Sequence, residues 1–366
     1  MKYIFILGNN PELSKAEIAA VLPQAKTIDG GKDFLIVEHA KIDCEKIINR
    51  LGGTIKIGIV LGKNPDFGPV LGSASTMPEG KRFNFGFSFY GQRPSNIGMQ
   101  IKGKLKEQGI VSRLVTSREP ALSSVIITKE KCQDFLVGSG FFGMTCAVQD
   151  FKDYSRRDFG RPASDALSGM LPPKAAKMML NLAQIETDQI VLDPFCGSGT
   201  ILAEALALGY KHLIGTDLSE KAVSDSVENL EWLTKELKIK GAEWEVEQLD
   251  ARKLSEKMNE ASIDAIISEP YLGKPMKGNE NEETVKKIIA ELEELYLESF
   301  AQFKKILKPE GKIVLVIPEW HLHGKTHRMN LDLRLNKLGF KRLDAGNLIY
   351  KREDQKVWRN ITIWKK

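Results

Sequence analysis

Apolar residues along this chain repeat with two periods, about two in some stretches and about 3.6 in others, and the switches between them mark the elements. Met1-Lys2-Tyr3-Ile4-Phe5-Ile6-Leu7-Gly8 is a short apolar run that turns polar too soon for a signal peptide and reads as a first strand. Asn10-Pro11-Glu12-Leu13-Ser14 opens a helix through Ile18 and Val21-Leu22, with a polar residue before the proline at its start. Asp33 to Glu38 reads as a strand, Ile42 to Leu51 as a helix stopped by Gly52-Gly53, and Thr54 to Val60 as another strand. That order predicts a small α+β unit over residues 1–65. Asn64 to Gly80, rich in Gly, Pro and Ser, reads as a linker or long loop.

A second small unit is expected over 80–150. Phe83-Asn84-Phe85-Gly86-Phe87-Ser88-Phe89-Tyr90 alternates strictly, as a half-buried strand does. Stacking on exposed bases is the alternative use of such an aromatic face. Ile101 to Lys106 places three lysines on a short helix, and Leu114 to Thr116, Ser124 to Thr128, Cys132 to Val137 and Phe141 to Val148 read as strands. Phe151 to Pro162, dense in Arg, aromatics and Asp, has neither period. We expect it to be an ordered wall of a site over 151–170, since a plain linker is poorer in aromatics.

From residue 171 onward the pattern becomes regular. An apolar helix through Met178 and Leu182 precedes the strand Gln189 to Leu192, and Asp193-Pro194-Phe195-Cys196-Gly197-Ser198-Gly199-Thr200 then leads into the helical run Ile201 to Ala207. His212 to Asp217 and Trp244 to Asp250 are strands ending in an acid. Ile263 to Ser268 is a buried strand running into Glu269-Pro270-Tyr271-Leu272-Gly273. Residues 281–307 carry Ile288, Leu292, Leu295, Tyr296, Phe300 and Phe303 at helical spacing; Ile313 to Pro318 is a strand, and Asn347 to Lys351 with Val357 to Trp364 form a final hairpin. The fold class expected is therefore α/β, a Rossmann-like doubly wound, mostly parallel sheet with a C-terminal β-hairpin.

In such a sheet, ligands sit beyond the carboxyl ends of the strands. Those ends carry Asp193 with the glycine turn, Asp217, Asp250, and Glu269-Pro270-Tyr271. Gly197 and Gly199 let the backbone approach a ligand closely, and an acid about 20 to 25 residues later can accept from ribose hydroxyls. A nicotinamide dehydrogenase would share that much. Asp250 followed by Arg252 suits an adenine amino group, and the acid-Pro-aromatic turn sits where a methyl acceptor would be presented.

Charge adds a partner. Residues 1–160 hold 22 Lys and Arg against 16 Asp and Glu, while the remainder holds 31 against 32, so the positive excess lies in front, where a polyanion would bind. Four separated cysteines with no Cys-x-x-Cys pair argue against structural zinc, iron–sulfur ligation and a disulfide framework, and for a cytoplasmic protein. Cys196 reads as a small filler, and His321, His323 and His327 as a solvated loop rather than a metal cluster. No apolar run of about 18 residues suggests a membrane span.

The order Asp193-x-x-x-Gly197-x-Gly199, Asp217, Asp250 and an acid-Pro-aromatic turn resembles that of S-adenosylmethionine-dependent amino-methyltransferases. The chain resembles in particular the archaeal and eukaryotic tRNA guanosine-10 N2-methyltransferase family. Tyr3 to Leu22, with Gly8-Asn9-Asn10-Pro11-Glu12-Leu13-Ser14, is similar to its start; Tyr154 to Pro162 with Gly169-Met170-Leu171-Pro172-Pro173-Lys174 to its junction; and Tyr350-Lys351-Arg352 through Trp358-Arg359 to its tail. The resemblance implies a ferredoxin-like unit at 1–65, a THUMP RNA-binding domain at 80–150 and a methyltransferase domain at 171–366. It also implies tRNA as partner, S-adenosylmethionine as cofactor and no metal. Asp193, Phe195, Gly197, Gly199, Thr200, Asp217 and Asp250 would line the cofactor, and Glu269, Pro270 and Tyr271 would carry catalysis. Where the family has Asp-Pro-Pro-Tyr, this chain has Glu269-Pro270-Tyr271-Leu272. A carboxylate and a carbonyl accepting the two hydrogens of an exocyclic amine help its nitrogen attack and later lose a proton, and Tyr271 would stack on a flipped base. A DNA amino-methyltransferase and a THUMP protein without activity are the competing readings.

Overall fold

In the computed structural model, which describes residues 1–78, 80–92, 94–163, 170–276, 278, 280–351 and 355–366, strand β1 (Lys2–Leu7) buries five of its six residues and pairs on both edges. In chain order there follow α1 (Pro11–Val21), β2 (Lys26–Gly30), β3 (Phe34–Glu38), α2 (Cys44–Arg50), β4 (Thr54–Gly62), α3 (Phe67–Ser75), β5 (Phe83–Tyr90), α4 (Ile97–Glu107), β6 (Ser112–Leu114), α5 (Ser124–Glu130), β7 (Gln133–Gly138) and β8 (Phe141–Val148). The eight strands form one sheet in the order β2-β3-β1-β4-β8-β7-β5-β6. Residues 1–65 and 80–150 thus contribute to a single sheet, joined where β4 pairs antiparallel with β8. Two compact units result, Met1–Lys15 with Leu22–Asp153, and Ala16–Val21 with Tyr154–Lys366.

The alternating aromatics of β5 take the core role: Phe83, Phe85 and Phe87 are buried, and the Phe87–Phe135–Phe142 rings stack in sequence. A base-stacking use of that face is excluded, since the rings are spent on packing. Three elements differ from the sequence expectation. The stretch 64–80 contains α3, capped by Asp66 and burying Val70 and Ala74 despite its Gly and Ser content. Ser124 to Thr128 is the helix α5, because the Ser123 side chain accepts from Ile126 N at 3.3 Å and sets a helix N-terminus ahead of the β-branched run. Cys44 and Cys146 are joined in a disulfide, against the expectation of none, because α2 is packed on β8 and their Cα atoms come within 6.1 Å. Across the middle of the sheet, Lys56 of β4 is buried against Asp134 of β7 at 2.7 Å, with Ser88 of β5 and Thr145 of β8 completing the carboxylate's partners.

The second part of the chain contains α6 (Phe151–Phe159), α7 (Pro173–Ala183), β9 (Ile190–Asp193), α8 (Thr200–Ala207), β10 (His212–Asp217), α9 (Glu220–Glu236), β11 (Glu243–Gln248), a 3-10 helix (Ala251–Glu256), β12 (Ile263–Ser268), α10 (Glu282–Ile306), β13 (Leu307–Leu322), β14 (Lys325–Arg328), α11 (Asp332–Lys337), β15 (Lys341–Leu343), β16 (Ile349–Tyr350) and β17 (Val357–Lys365). The expected aperiodic wall therefore begins as a helix, α6, whose Tyr154 and Arg157 are buried. Strands run in the order β11-β10-β9-β12-β13-β17-β15; the first four pairings are parallel, and β17 is antiparallel to both neighbours. The order reverses between β9 and β12, which makes the carboxyl ends of these two strands the switch point. The tail hairpin is present as β16 against β17. The histidine loop is instead a second hairpin, β13 turning into β14 at His323 and Gly324, with His321 stacked on Trp358 at 3.6 Å. The amphipathic helix is α10, which packs Leu292, Tyr296, Phe300 and Phe303 into the core with Trp320 and Trp364. Among the described residues, no helix is long and apolar enough to cross a membrane.

Candidate active site

The glycine turn after β9 is held from three sides. Cys196 N donates to Thr216 O at 2.9 Å, Gly197 N donates to Asp217 Oδ2 at 2.9 Å, and Asn229 Nδ2 of α9 donates to Ser198 O at 2.9 Å. Gly197 and Gly199 have φ of +53° and +81°, the region where a side chain is strained. A Cβ at Gly197 would meet nothing within 4 Å, so the turn is open there. At Gly199 a Cβ would run into Ser226 of α9, so that glycine serves helix packing. Cys196 is buried and its thiol is pushed up by that burial, which fits a filler and not a nucleophile. Phe195 is partly buried in the core.

Asp193 is buried at the end of β9, where Oδ1 accepts from Ser268 Oγ at 2.6 Å and from Phe195 N at 3.2 Å. Burial raises its carboxyl to about 7, with the two hydrogen bonds opposing the rise. The Ser268 bond spans the switch point and ties the glycine turn to the turn after β12. Sequence reading placed Ser268 beside the motif without giving it this task; its hydroxyl facing a strand-end acid was the available signal.

Asp217 has both oxygens engaged, Oδ2 with Gly197 N and Oδ1 with Ser219 N at 2.9 Å. Next to it Leu218 is 65% exposed, an apolar side chain beside a polar turn that the sequence reading passed over. Asp250 lies two residues past the end of β11, not on the strand, and caps the 3-10 helix through Arg252 N at 2.9 Å. Arg252 also folds back on it, with Nη2 at 2.6 Å from Oδ2, and these bonds hold the Asp250 carboxyl below the usual range. Thr200 begins α8, and its hydroxyl accepts from Arg161 Nη1 at 2.8 Å. Ala163 exchanges two bonds with the Asn229 side chain, so residues 161–163 lie against the turn. Gly169 of the expected junction motif and Arg352 of the tail motif lie outside the described residues.

The acid-Pro-aromatic turn leaves β12 directly. Pro270 is buried, Tyr271 is 53% exposed, and the Tyr271 carbonyl accepts from Tyr296 Oη of α10 at 3.3 Å. Glu269 is 14% exposed and forms an ion pair with Arg359 of β17: Nε donates to Oε1 and Nη2 to Oε2, the latter at 3.3 Å. Burial pushes the Glu269 carboxyl up, and the guanidinium opposes that rise. Arg359 was quoted only as part of a tail motif. Its partner could not be read from sequence because 90 residues separate them.

Residues 161–343 match the UPF0020 family, described as an RMKL-like methyltransferase domain. A protein of Pyrococcus abyssi named tRNA (guanine(10)-N2)-dimethyltransferase is 26% identical over 320 residues, covering 87% of this chain and 88% of that one. A protein of the same name from Methanocaldococcus jannaschii is 41% identical over 111 residues, 29% of each chain. The crystal structure of TrmN from Thermus thermophilus superposes over the whole of both chains with a TM-score of 0.54 at 18% identity, which bears on the fold alone. With half its length in the matched domain and a glycine turn, two strand-end acids and an acid-Pro-aromatic turn gathered at one sheet edge, the chain belongs to the RMKL-like methyltransferase family.

Proposed function

We propose that this protein transfers a methyl group from S-adenosylmethionine to the exocyclic N2 amine of a guanosine in tRNA, with position 10 as the favoured nucleotide. The observation that carries the reading is the Ser268–Asp193 bond, which holds the acid-Pro-aromatic turn at the same edge as the open glycine turn. The name of the Pyrococcus abyssi relative, aligned over most of both chains, supports guanine in tRNA over adenine or cytosine in DNA.

The donor set fits the cofactor. The Asp217 carboxylate at the end of β10 suits ribose hydroxyls, exposed Leu218 offers an apolar cover for a purine, and the turn at Gly197 has room for a close approach. Bound S-adenosylmethionine would supply an electrophilic methyl on its sulfonium. The chain's own part is then to hold the base and take its proton. Glu269 accepts one amine hydrogen, the Pro270 carbonyl accepts the other, and the exposed Tyr271 ring stacks on the base. As the nitrogen–methyl bond forms and the sulfur–methyl bond breaks, the amine proton leaves toward Glu269.

For the front half, the reading is a ferredoxin-like unit at 1–65 and a THUMP domain at 80–150, with 151–170 lining the site and catalysis in 171–366. Lys102, Lys104 and Lys106 are exposed on α4, and their charge suits phosphates. Incubating the protein with methyl-labelled S-adenosylmethionine and either total tRNA or duplex DNA tests the proposal, with nucleoside mass spectrometry of the product. N2-methylguanosine in tRNA is expected. Label in DNA alone, or none in either, would sink it.

A further inference from the structure

Glu269 is not an isolated carboxylate. Arg359 stands on β17, opposite Pro318 of β13, while the last residue of β12, Ser268, pairs with Leu315 of the same β13. The guanidinium therefore starts two strands away from β12 and three residues beyond the level of Ser268. Only a long side chain crosses that distance, and an acid one methylene longer than aspartate meets it partway. The pair is well enclosed, with Arg359 6% and Glu269 14% exposed. Around Glu269 stand Arg359 from β17, Tyr296 from α10 and Asp193 from β9; the first alone carries positive charge.

We propose that Arg359 is a positioning residue for methyl transfer: its guanidinium grips both oxygens of Glu269 and so keeps that carboxylate charged and aimed at the acceptor amine. This rests on the reading above that Glu269 receives an amine hydrogen. An acceptor must be ionised to take the hydrogen, and a buried carboxyl without a nearby cation tends to hold its own proton. The fork of an arginine fixes a carboxylate in plane, and each oxygen keeps a second lone pair for the substrate. A lysine at 359 would supply the charge without the fork.

The sign of the effect is fixed. The guanidinium lowers the Glu269 pKa, so removing it leaves burial to raise that value, and the pH at which activity appears must move up. The experiment uses the full chain. In Arg359→Gln the acidic limb of kcat against pH should shift upward by at least about one unit, with activity at pH 7 falling about tenfold or more. Affinity for S-adenosylhomocysteine, measured by calorimetry, should stay within about twofold, since the cofactor turn is untouched. Arg359→Lys should restore part of the shift. An unmoved pH profile, or a loss of S-adenosylhomocysteine binding as large as the loss of turnover, overturns the proposal.

A second readout is independent of turnover. Carbon-13 glutamate labelling, with the Glu269 carboxyl resonance identified by its absence in Glu269→Gln, should show a titration at higher pH in Arg359→Gln than in the wild type. Equal titrations overturn the clamp. If the wild type methylates no RNA, the functional reading fails while this titration still decides whether Arg359 holds Glu269 charged.

Discussion

The two glycines of the cofactor turn should fail in different ways when each is replaced by alanine. Both have positive φ, and an alanine forced into that region costs about 1–2 kcal/mol. At Gly197 nothing lies within 4 Å of the added methyl, so this backbone cost is the whole penalty to the ligand-free protein. At Gly199 the methyl would meet Ser226 Oγ and come within 3.2 Å of its Cβ and 3.3 Å of its Cα, on a buried stretch of α9 that cannot step back. Overpacking of that kind adds about 1–3 kcal/mol, giving a total of about 2–5 kcal/mol. For a unit of this size each kcal/mol moves Tm by about 2–4 °C. Gly197→Ala should therefore melt a few degrees low and bind S-adenosylhomocysteine at least about tenfold more weakly, because the open face is where the ligand approaches. Gly199→Ala should show the larger drop in Tm. Differential scanning calorimetry and isothermal titration on the two variants read both quantities. Equal melting temperatures, or a Gly197→Ala protein that binds like the wild type, would refute the division of roles.

Asp193→Asn should flatten one part of the pH–stability curve. Because the folded carboxyl sits near 7 and the unfolded one near its ordinary value of 3.8, the wild type loses stability relative to the variant as pH rises from about 4 to about 7, then runs parallel to it; Tm against pH for the two proteins would reveal a constant offset if this is wrong. Lys56→Met leaves Asp134 buried without its cation, and should destabilise by about 3–5 kcal/mol in denaturant titrations; a loss below 1 kcal/mol would mean that the network is dispensable. Tyr271→Ala should reduce turnover on RNA about tenfold or more by removing a stacking face, with Tm unchanged because the ring is exposed, while Tyr271→Phe retains activity; a Phe variant as slow as the Ala variant would point to the hydroxyl instead.

What could be read from sequence follows from how local each signal was. The acids at 193 and 217 and the glycines between them sit on a strand–turn–helix whose period changes within a dozen residues, and each falls where the strand ends require. Asp250 fell short of this: its strand stops at Gln248, and a capping bond to Arg252 N replaces the ladder. Helix α5 was misread because Val125, Ile126, Ile127 and Thr128 favour strands, and Ser123 as a cap was the weaker signal. Helix α6 was hidden by its mixed composition; its Arg157 is buried against Glu204 at 2.5 Å, so a charged residue occupies a core-facing position. The Cys44–Cys146 bridge and the Glu269–Arg359 pair depend on strand order, which no local pattern encodes.

The β4–β8 ladder also says where the chain can be divided. Each of these strands is an interior member of the sheet, with β1 beyond one and β7 beyond the other. A cut between residues 65 and 80 would strip both of a partner and present two rows of unpaired amides and carbonyls, an invitation to pair with other chains and precipitate. Expression of the front half should therefore keep residues 1–150 together, and fragments ending near residue 65 belong among the aggregation-prone products of proteolysis.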